Sequence, residues 1–171
     1  MVLREATKAD LPEVVELINL AYRGEVGWAV ETQYIEGQRV DLASLREDLA
    51  ANPDALLMIW RDERDGRLLG SVWLEPSEDE AWYLGLLSVR PDMQDKQLGR
   101  RLLAAAEDVA RKNGARLVRI SVISVRHTLV AWYERRGYEL TGETQPFPYG
   151  DERVGRPLRD DLHFVMLEKR L

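Results

Sequence analysis

The residues between positions 94 and 101 have the types and spacing of an anion-binding site. The chain reads QDKQLGRR over this stretch, between a run of apolar residues and the start of an amphipathic helix pattern. No side chain is predicted to cap that helix, so its first backbone N–H groups and the positive end of its dipole are free to meet an anion. Gly99 lets a ligand approach the backbone closely, and Lys96, Arg100 and Arg101 add positive charge. This pattern predicts a pyrophosphate site.

The same window also has an ordinary interpretation, as a strand-to-helix turn with solvated basic residues. Taken alone, the residues support the two interpretations about equally. The position in mid-chain, at the end of a buried strand, favours the functional one. Because the turn matches neither GxxxxGK[ST] nor GxGxxG, neither a P-loop nor a dinucleotide-binding fold is indicated.

The composition limits which other chemistry the chain can perform. Its 171 residues include no cysteine and only two histidines, His127 and His163. These counts exclude a disulfide framework, a thiolate metal site and a cysteine nucleophile, and they argue against a histidine-based zinc cluster. We therefore expect no metal, and we expect the chemistry to come from oxygen groups, backbone amides or a bound cofactor.

The charge and hydropathy of the chain bear on its partners and location. Thirty acidic residues outweigh 24 basic ones and give a net charge of −6. This sign predicts no attraction to nucleic acid or to an anionic membrane, and it suits cationic or amine-bearing substrates. There is no apolar run of 18 residues and residues 1–5 lack the start of a signal peptide, so we expect a cytoplasmic protein.

Apolar periodicity and turn residues predict a mixed α/β fold in one domain over residues 1–171. Apolar residues recur every three or four positions and predict helices over 11–22, 42–50, 98–113 and 128–136. Strands are predicted over 2–6, 55–61, 67–75, 81–89, 116–125, 138–143 and 162–168. Short links make the strands between residues 55 and 89 antiparallel neighbours. The result is a mixed, mostly antiparallel central sheet with helices on both faces.

Two short motifs on these predicted elements belong together. The first reads VRPDMQDKQLG over residues 89–99 and fits the pattern V-x-P followed by (Q/R)-x-x-G-x-(G/A) at the head of the longest helix, except at Gln97. The second reads YERRGY over residues 133–138 and fits Y-x-x-x-G-(F/Y). With these motifs and this order of elements, the chain resembles the GNAT superfamily of acyl-CoA-dependent N-acyltransferases over nearly its full length.

The resemblance implies transfer of an acetyl group from acetyl-CoA to a primary amine by direct attack in a ternary complex. It places the pantetheine arm, as an added strand, against backbone groups of Leu87, Ser88 and Val89. It places the pyrophosphate on the turn, at Gln94, Asp95, Lys96, Gln97, Leu98, Gly99 and Arg100. Gln97 stands where the family usually has its first glycine. We expect a backbone φ that glutamine tolerates, and the alternative is weakened pyrophosphate affinity.

Tyr133 matches the family position of the general acid that protonates the departing CoA thiolate. Without the resemblance, this residue is more simply a core aromatic beside Trp132. A backbone N–H near Leu87 or Ser88 is the expected oxyanion donor. Many relatives carry a glutamate on the strand before the turn, but Gly85 occupies that position here. The base is therefore left open between Glu25, Glu31, His127 and a chain of waters.

The acceptor wall is expected in the segment from residue 22 to residue 41, with Trp28 and Glu31 as candidate acceptor contacts. The mixed charges of this segment suggest a polar acceptor with an amine and a carboxylate, or equally well a set of structural ion pairs. Amino acids, polyamines, aminoglycosides and protein N-termini all stay open as acceptors. The Pro-rich stretch 146–150 closes over the acceptor or meets a second subunit, which leaves a homodimer open.

Two other functions compete with acetyl transfer. A non-catalytic acyl-CoA-binding sensor is suggested by Gln97 and by the missing strand glutamate. A phosphate- or nucleotide-binding regulatory module would use the same helix start. The sensor predicts binding of CoA without turnover on any amine, and the regulatory module predicts competition by ATP.

Overall fold

The computed structural model describes residues 1–24 and 31–171, with side chains except at Gln94, Asp95, Lys96 and Val154. Its helices are α1 (Leu11–Arg23), α2 (Leu42–Ala51), α3 (Leu98–Lys112) and α4 (His127–Glu134). Short 3₁₀ helices cover Lys8–Asp10, Pro91–Lys96 and Glu152–Val154. Its strands are β1 (Arg4–Glu5), β2 (Ile35–Glu36), β3 (Leu56–Arg61), β4 (Leu68–Pro76), β5 (Ala81–Val89), β6 (Leu117–Ile123), β7 (Glu139–Pro146), β8 (Arg156–Pro157) and β9 (His163–Arg170).

Within the described residues, seven strands form one sheet in the order β1-β3-β4-β5-β6-β9-β7. All neighbouring pairs are antiparallel except β5 and β6, which run parallel. The short links predicted to join β3, β4 and β5 do produce antiparallel neighbours. The expectation of a mixed, mostly antiparallel sheet is confirmed.

The helices cover both faces of this sheet, as the sequence predicts. Leu11, Val14, Leu17 and Ile18 of α1 pack with Leu45 of α2 in one apolar cluster. The apolar side of α3 packs with α4 in a separate cluster on the other face, through Leu98, Leu102, Leu103, Ala106, Leu129 and Val130. None of the described helices has the length and apolar character needed to traverse a bilayer.

Strand β5 changes its pairing halfway along its length. Its first residues pair with β6 in parallel, from Ala81 to Tyr83, and no later residue of β5 pairs with β6. On the other side, the register with β4 shifts between Ser71 and Trp73. One residue of β4, Val72, then lies opposite two residues of β5, Leu86 and Leu87, which is the signature of a β-bulge.

The bulge is centred on Leu86, whose φ of +51° lies in the left-handed region. Leu84 and Leu87 both join the cluster on the α3 face although they are three positions apart. A regular strand alternates sides at every residue, so this spacing requires one extra residue between them. The bulge turns β5 away from β6, and the two strands separate at their carboxyl ends.

A small ladder that the sequence did not predict joins two distant loops. Strands β2 and β8 are antiparallel and two residues long, and Ile35 pairs with Pro157 and Glu36 with Arg156. Gly155 precedes this ladder with a φ of +100°, and a Cβ there would lie 2.5 Å from Nη1 of Arg23. Residues 155–157, which follow β7, are therefore attached to β2 and lie against Arg23 at the end of α1.

Asp10 connects three elements at the first edge of the sheet. Its carboxylate accepts hydrogen bonds from Arg4 at 2.8 and 3.1 Å, from Arg61 at 2.9 Å, and from the Thr7 amide and hydroxyl at 2.8 and 2.9 Å. The hydrogen bond from Arg4 lowers the pKa of Asp10 far below its usual range, against the opposing effect of burial. The group therefore stays ionised and holds β1, α1 and β3 together.

We expect Asp10→Asn to lower the free energy of unfolding by about 2 kcal/mol at pH 7, because it leaves Arg4 without its carboxylate and Arg61 with Glu13 alone. The folded pKa of Asp10 lies below the unfolded one, so its stabilisation is present above the unfolded value and is lost as pH falls through the folded value. The difference between the variant and the wild type should therefore narrow below about pH 4.

Urea unfolding of both proteins at pH 7 and pH 3 measures this difference. Asp161→Asn is the control, because Asp161 pairs with Arg159 on an exposed surface and should show little change at either pH. An Asp10→Asn deficit of equal size at both pH values would contradict the assigned role.

Candidate active site

A cavity of about 100 Å³ lies where β5 and β6 separate. Tyr22 of α1 lines it from one face of the sheet, and Tyr133 of α4 lines it from the other. Leu87 on β5 and Val122 on β6 form its side walls. The cavity therefore crosses the sheet through the gap that the β5 bulge creates.

Tyr133 lies deep in this cavity wall, with 6% of its surface exposed. Trp132 and Tyr138 pack edge-on against its ring, with centroids 5.0 and 5.5 Å away. Burial raises the pKa of the Tyr133 hydroxyl far above its usual value. The residue is thus both a core aromatic and a neutral phenol facing the cavity, so the two interpretations of its sequence motif are compatible.

Tyr22 links α1 to the bulge in β5. Its hydroxyl donates a hydrogen bond to the carbonyl oxygen of Leu87 at 3.3 Å. Burial raises the pKa of Tyr22 to about 12, although the positive charge of Arg39 opposes the shift. Tyr22 therefore remains a donor at neutral pH and fixes the peptide that follows the bulge.

The ring of Tyr83 lies over Gly85, the position at which many family members carry a glutamate. A Cβ on Gly85 would lie 2.9 Å from Cε1 of Tyr83, so the tyrosine ring passes directly over the glycine. The Tyr83 hydroxyl lies 3.0 Å from the hydroxyl oxygen of Ser121 and connects β5 to β6 across the opening. Sequence reasoning identified the missing carboxylate at Gly85 but not the ring that lies there instead.

Buried charged side chains form the wall of the cavity near the end of α1. The Glu31 carboxylate pairs through Oε1 with Arg23 at 2.8 Å, and its Oε2 lies 3.5 Å from Nη1 of Arg126. All three side chains are at most 7% exposed. Arg23 and Glu31 of this segment thus form a structural ion pair, one of the two alternatives from the sequence, and an acceptor contact at Glu31 stays a prediction. Arg126 immediately precedes α4, and no sequence pattern singled it out.

Other candidate residues from the sequence lie away from the cavity or outside the described residues. Trp28 and Glu25 belong to residues 25–30, which are outside the described residues. His127 is exposed at the start of α4 and is not among the described residues that line the cavity. Phe147, from the Pro-rich stretch, is buried and does line it.

The predicted pyrophosphate turn has the backbone of a helix start without a side-chain cap. The Pro91–Lys96 3₁₀ helix leads into Gln97, and α3 begins at Leu98. The side chain of Gln97, the N-cap residue of α3, makes no capping hydrogen bond to the first turn. Leu98 and Gly99 are buried, and Arg100 is exposed. The amides of the first turn are therefore available to an anion.

Gln97 adopts φ +54° and ψ +32°, in the left-handed region that glycine prefers. This differs from the expectation of a φ that suits glutamine. The left-handed conformation costs a residue with a Cβ about 1–2 kcal/mol. The turn has kept the backbone of a glycine position and accepts this strain.

Basic side chains line a second depression beside the turn. Arg100 of α3 lies there with Arg135 and Arg136, which follow α4. Arg136 stacks on Trp132, with Cζ 4.1 Å from the ring centroid, and its buried Nε has no partner among the described residues. Burial lowers the pKa of Arg136, and the neighbouring Arg135 and Arg100 lower it further. This concentration of positive charge is a second feature that suits phosphate groups.

No group of three or more His, Cys, Asp or Glu side chains is placed to hold a metal ion in the described part of the chain. The polar side chains of the described cavity lining are phenols, the Ser121 hydroxyl, one carboxylate and guanidinium groups. These groups suit proton transfer and anion binding.

Two proteins that are similar to this chain in sequence are described as acetyltransferases. A mycothiol acetyltransferase of Beutenbergia cavernae is 34% identical over 84 residues, which are 49% of this chain and 28% of that protein. An uncharacterised N-acetyltransferase of Bacillus subtilis is 29% identical over 144 residues, which are 81% of this chain and 90% of that protein. This chain thus spans under a third of the first relative and most of the second.

A solved structure shares the fold. An aminoglycoside 6'-N-acetyltransferase complexed with coenzyme A superposes with a TM-score of 0.69 at 16% identity, over 99% of this chain and 97% of that one. The sequence model of the acetyltransferase (GNAT) family matches residues 12–138. That range contains the turn, the β5 bulge and Tyr133, and it confirms the resemblance found in the two motifs. The chain belongs to the acetyltransferase (GNAT) family.

Proposed function

We propose that this protein transfers the acetyl group of acetyl-CoA to a primary amine by direct attack in a ternary complex. The observation that carries this proposal is the cavity that crosses the sheet between β5 and β6. Such a passage lets the thioester enter from the α3–α4 face while the amine approaches from the α1 face. The two substrates then meet at the level of the bulge, beside Leu87 and Tyr133.

The features around the passage support binding of CoA on the α3–α4 face. The carboxyl end of β5 has no pairing with β6, so backbone groups from Leu87 to Val89 are positioned to pair with an extended pantetheine arm. The pyrophosphate would be held by the amides from residue 94 to residue 100. The arginines at 100, 135 and 136 would add charge-assisted hydrogen bonds to phosphate.

The reaction then needs one bond formed, one broken and two protons moved. The neutral amine attacks the thioester carbonyl carbon, and a backbone N–H near Leu87 or Ser88 stabilises the oxyanion. The C–S bond breaks as the carbonyl re-forms, and the Tyr133 phenol protonates the departing thiolate. The amine nitrogen gives up one proton to a base, and Tyr133 regains its own from solvent.

Glu31 is the one carboxylate among the described residues that line the cavity. Both of its oxygens face guanidinium groups, those of Arg23 and Arg126. We therefore assign Glu31 to holding these two arginines in place and not to accepting the proton of the amine.

Replacement of Tyr133 by phenylalanine tests the assigned acid. It keeps the packing with Trp132 and Tyr138 but removes the proton, so we expect kcat to fall about 100-fold with little change in KM for acetyl-CoA. Free thiol release on a panel of amines and peptides gives both constants. Tyr138→Phe is the matched control, because Tyr138 packs on Tyr133 and donates to Glu107 without lining the cavity. Unchanged turnover in Tyr133→Phe would remove this residue from the mechanism, whereas CoA binding without turnover on any amine would support the sensor.

The raised pKa of Tyr133 has a consequence for the pH profile. A phenol whose pKa lies above its usual value of about 10 stays protonated up to at least about pH 10, a range in which the attacking amine loses its proton. We expect kcat/KM to rise with pH as the amine loses its proton, and not to fall before about pH 10. Rates from pH 6.5 to pH 10, with circular dichroism at each pH as a check on folding, measure this. A falling limb below pH 10 that is absent from Tyr133→Phe would contradict the assignment.

Gln97→Gly tests whether the strained turn limits the binding of CoA. Removing the left-handed strain stabilises the folded state by about 1–2 kcal/mol. Glycine also makes the unfolded chain more flexible, which offsets about 0.4–1 kcal/mol of that stabilisation. The net result should be a small rise in the free energy of unfolding, measured in urea, with CoA affinity within threefold of the wild type by calorimetry. Gln97→Val is the contrast and should be destabilised. A gain of more than tenfold in CoA affinity for Gln97→Gly would show that Gln97 weakens pyrophosphate binding.

A further inference from the structure

The described side chains of the cavity include more basic than acidic groups, whereas the whole chain is acidic. The protein carries a net charge of −6, which by itself suits cationic acceptors. The described side chains that line the cavity include three arginines, Arg23, Arg39 and Arg126, and only one carboxylate, Glu31. A ligand in a low-dielectric cavity responds mainly to these nearby charges and not to the distant surface.

Glu31 compensates for part of this positive charge. It contacts Arg23 through both Nε at 3.3 Å and Nη2 at 2.8 Å, and it lies 3.5 Å from Arg126. Arg23 and Arg126 are thus both paired with Glu31, and Arg39 is the third arginine of the described lining.

Arg39 is the lining arginine that Glu31 does not contact in the structure. Its backbone N–H donates to Asn19 Oδ1 at 2.8 Å, which anchors the segment to α1. Its guanidinium lies over the ring of Tyr22, with Cζ 5.7 Å from the centroid. Within residues 1–24 and 31–171, no carboxylate forms an ion pair with it. The positive charge of Arg39 also lowers the pKa of Arg23, after the larger effect of burial.

The position of Arg39 relates it directly to the proposed reaction centre. The Tyr22 ring that supports its guanidinium also donates, through its hydroxyl, to the carbonyl of Leu87 beside the bulge. A group bound by Arg39 is therefore one aromatic ring away from the place where the amine meets the thioester. This arrangement suits a small acceptor whose anionic group and amine are close together.

We propose that the acceptor is an amine that also carries a carboxylate, and that Arg39 binds this carboxylate on the acceptor side of the cavity. This inference rests on the proposed acetyl transfer and names the substrate class of the same site. A guanidinium binds a carboxylate through two parallel hydrogen bonds, which fixes the orientation of the ligand. The amine end then points towards the bulge in β5.

The same charges select against polycationic amines. A polyamine or an aminoglycoside would bring several ammonium groups next to Arg23, Arg39 and Arg126, and like charges repel strongly where water is scarce. A positive surrounding also lowers the pKa of a single ammonium group, and so increases the neutral fraction that can attack. Of the acceptors that the sequence left open, amino acids and peptides with a nearby carboxylate fit best.

The test compares acceptors that differ only in the carboxylate. L-amino acids and dipeptides are each paired with their carboxamides, and spermidine represents the polycations. Wild-type protein should prefer the acid of each pair, with the difference mainly in KM. Thiol release measures turnover, and calorimetry with CoA-loaded protein measures binding of the same compounds without turnover.

Arg39→Gln should lower kcat/KM for the best carboxylate acceptor about 10- to 100-fold, mainly through KM, and change the rate on its carboxamide less than threefold. Arg39→Lys keeps the charge without the two-pronged geometry and should recover part of the loss. Arg64→Gln is the matched control, since it changes the net charge equally at an exposed position in the β3–β4 turn.

Preference of the wild type for spermidine or for the carboxamides would overturn the proposal. Equal losses on the acid and the carboxamide in Arg39→Gln, with no recovery in Arg39→Lys, would also overturn it, since Arg39 would then be only structural. Binding of carboxylate amines that depends on Arg39 but leads to no turnover would uphold this inference while the proposed acetyl transfer fails. If no carboxylate amine binds or reacts, the inference fails.

Discussion

The bulge at Leu86 is the constraint on which the rest of the site depends. A sheet hydrogen-bonds every strand to its neighbours unless something interrupts the register, and here one extra residue turns β5 away from β6 after Tyr83. The cost is a left-handed φ at a leucine and the loss of several ladder hydrogen bonds. In return the sheet contains a passage with unpaired strand backbone at its edge, which ordinary strand pairing would have closed.

Aromatic and charged side chains from both faces of the sheet support this passage. Aromatic rings hold it from each face, with Tyr22 on the α1 side and Tyr133 on the α4 side. The Tyr83–Ser121 hydrogen bond connects the two strands across the gap. Buried ion pairs are costly unless their geometry is good, and the Arg23–Glu31–Arg126 group links the end of α1, the following loop and the start of α4. Arg39 lies beside this group and is held by its backbone hydrogen bond to Asn19 and by the Tyr22 ring.

The turn before α3 has the left-handed backbone that glycine prefers, although glutamine occupies the position. Gln97 keeps the left-handed φ of a glycine, because the direction of the amides depends on the backbone and not on the side chain. Strain of this kind persists where the surrounding structure determines the conformation. Leu98 and Leu102 anchor α3 in the core on one side of the turn, and β5 ends in the core on the other.

The sequence by itself determined the family, the order of the elements other than β2 and β8, and the helix start without a side-chain cap, because these follow from local periodicity, turn residues and short motifs. It also identified Tyr133 and Glu31, each with two interpretations. Only the tertiary structure showed the β2–β8 ladder, the place of Tyr83 over Gly85, and the meeting of Arg126 with Arg23 and Glu31. The ladder and the arginine–glutamate group join residues that are far apart in the chain, and no local pattern encodes such a contact. The position of the Tyr83 ring likewise depends on a distant residue, since its hydroxyl meets Ser121 of β6. The described lining of the cavity contains more arginines than carboxylates although the chain is acidic, and this depends likewise on which side chains the fold brings together and not on how many the chain contains.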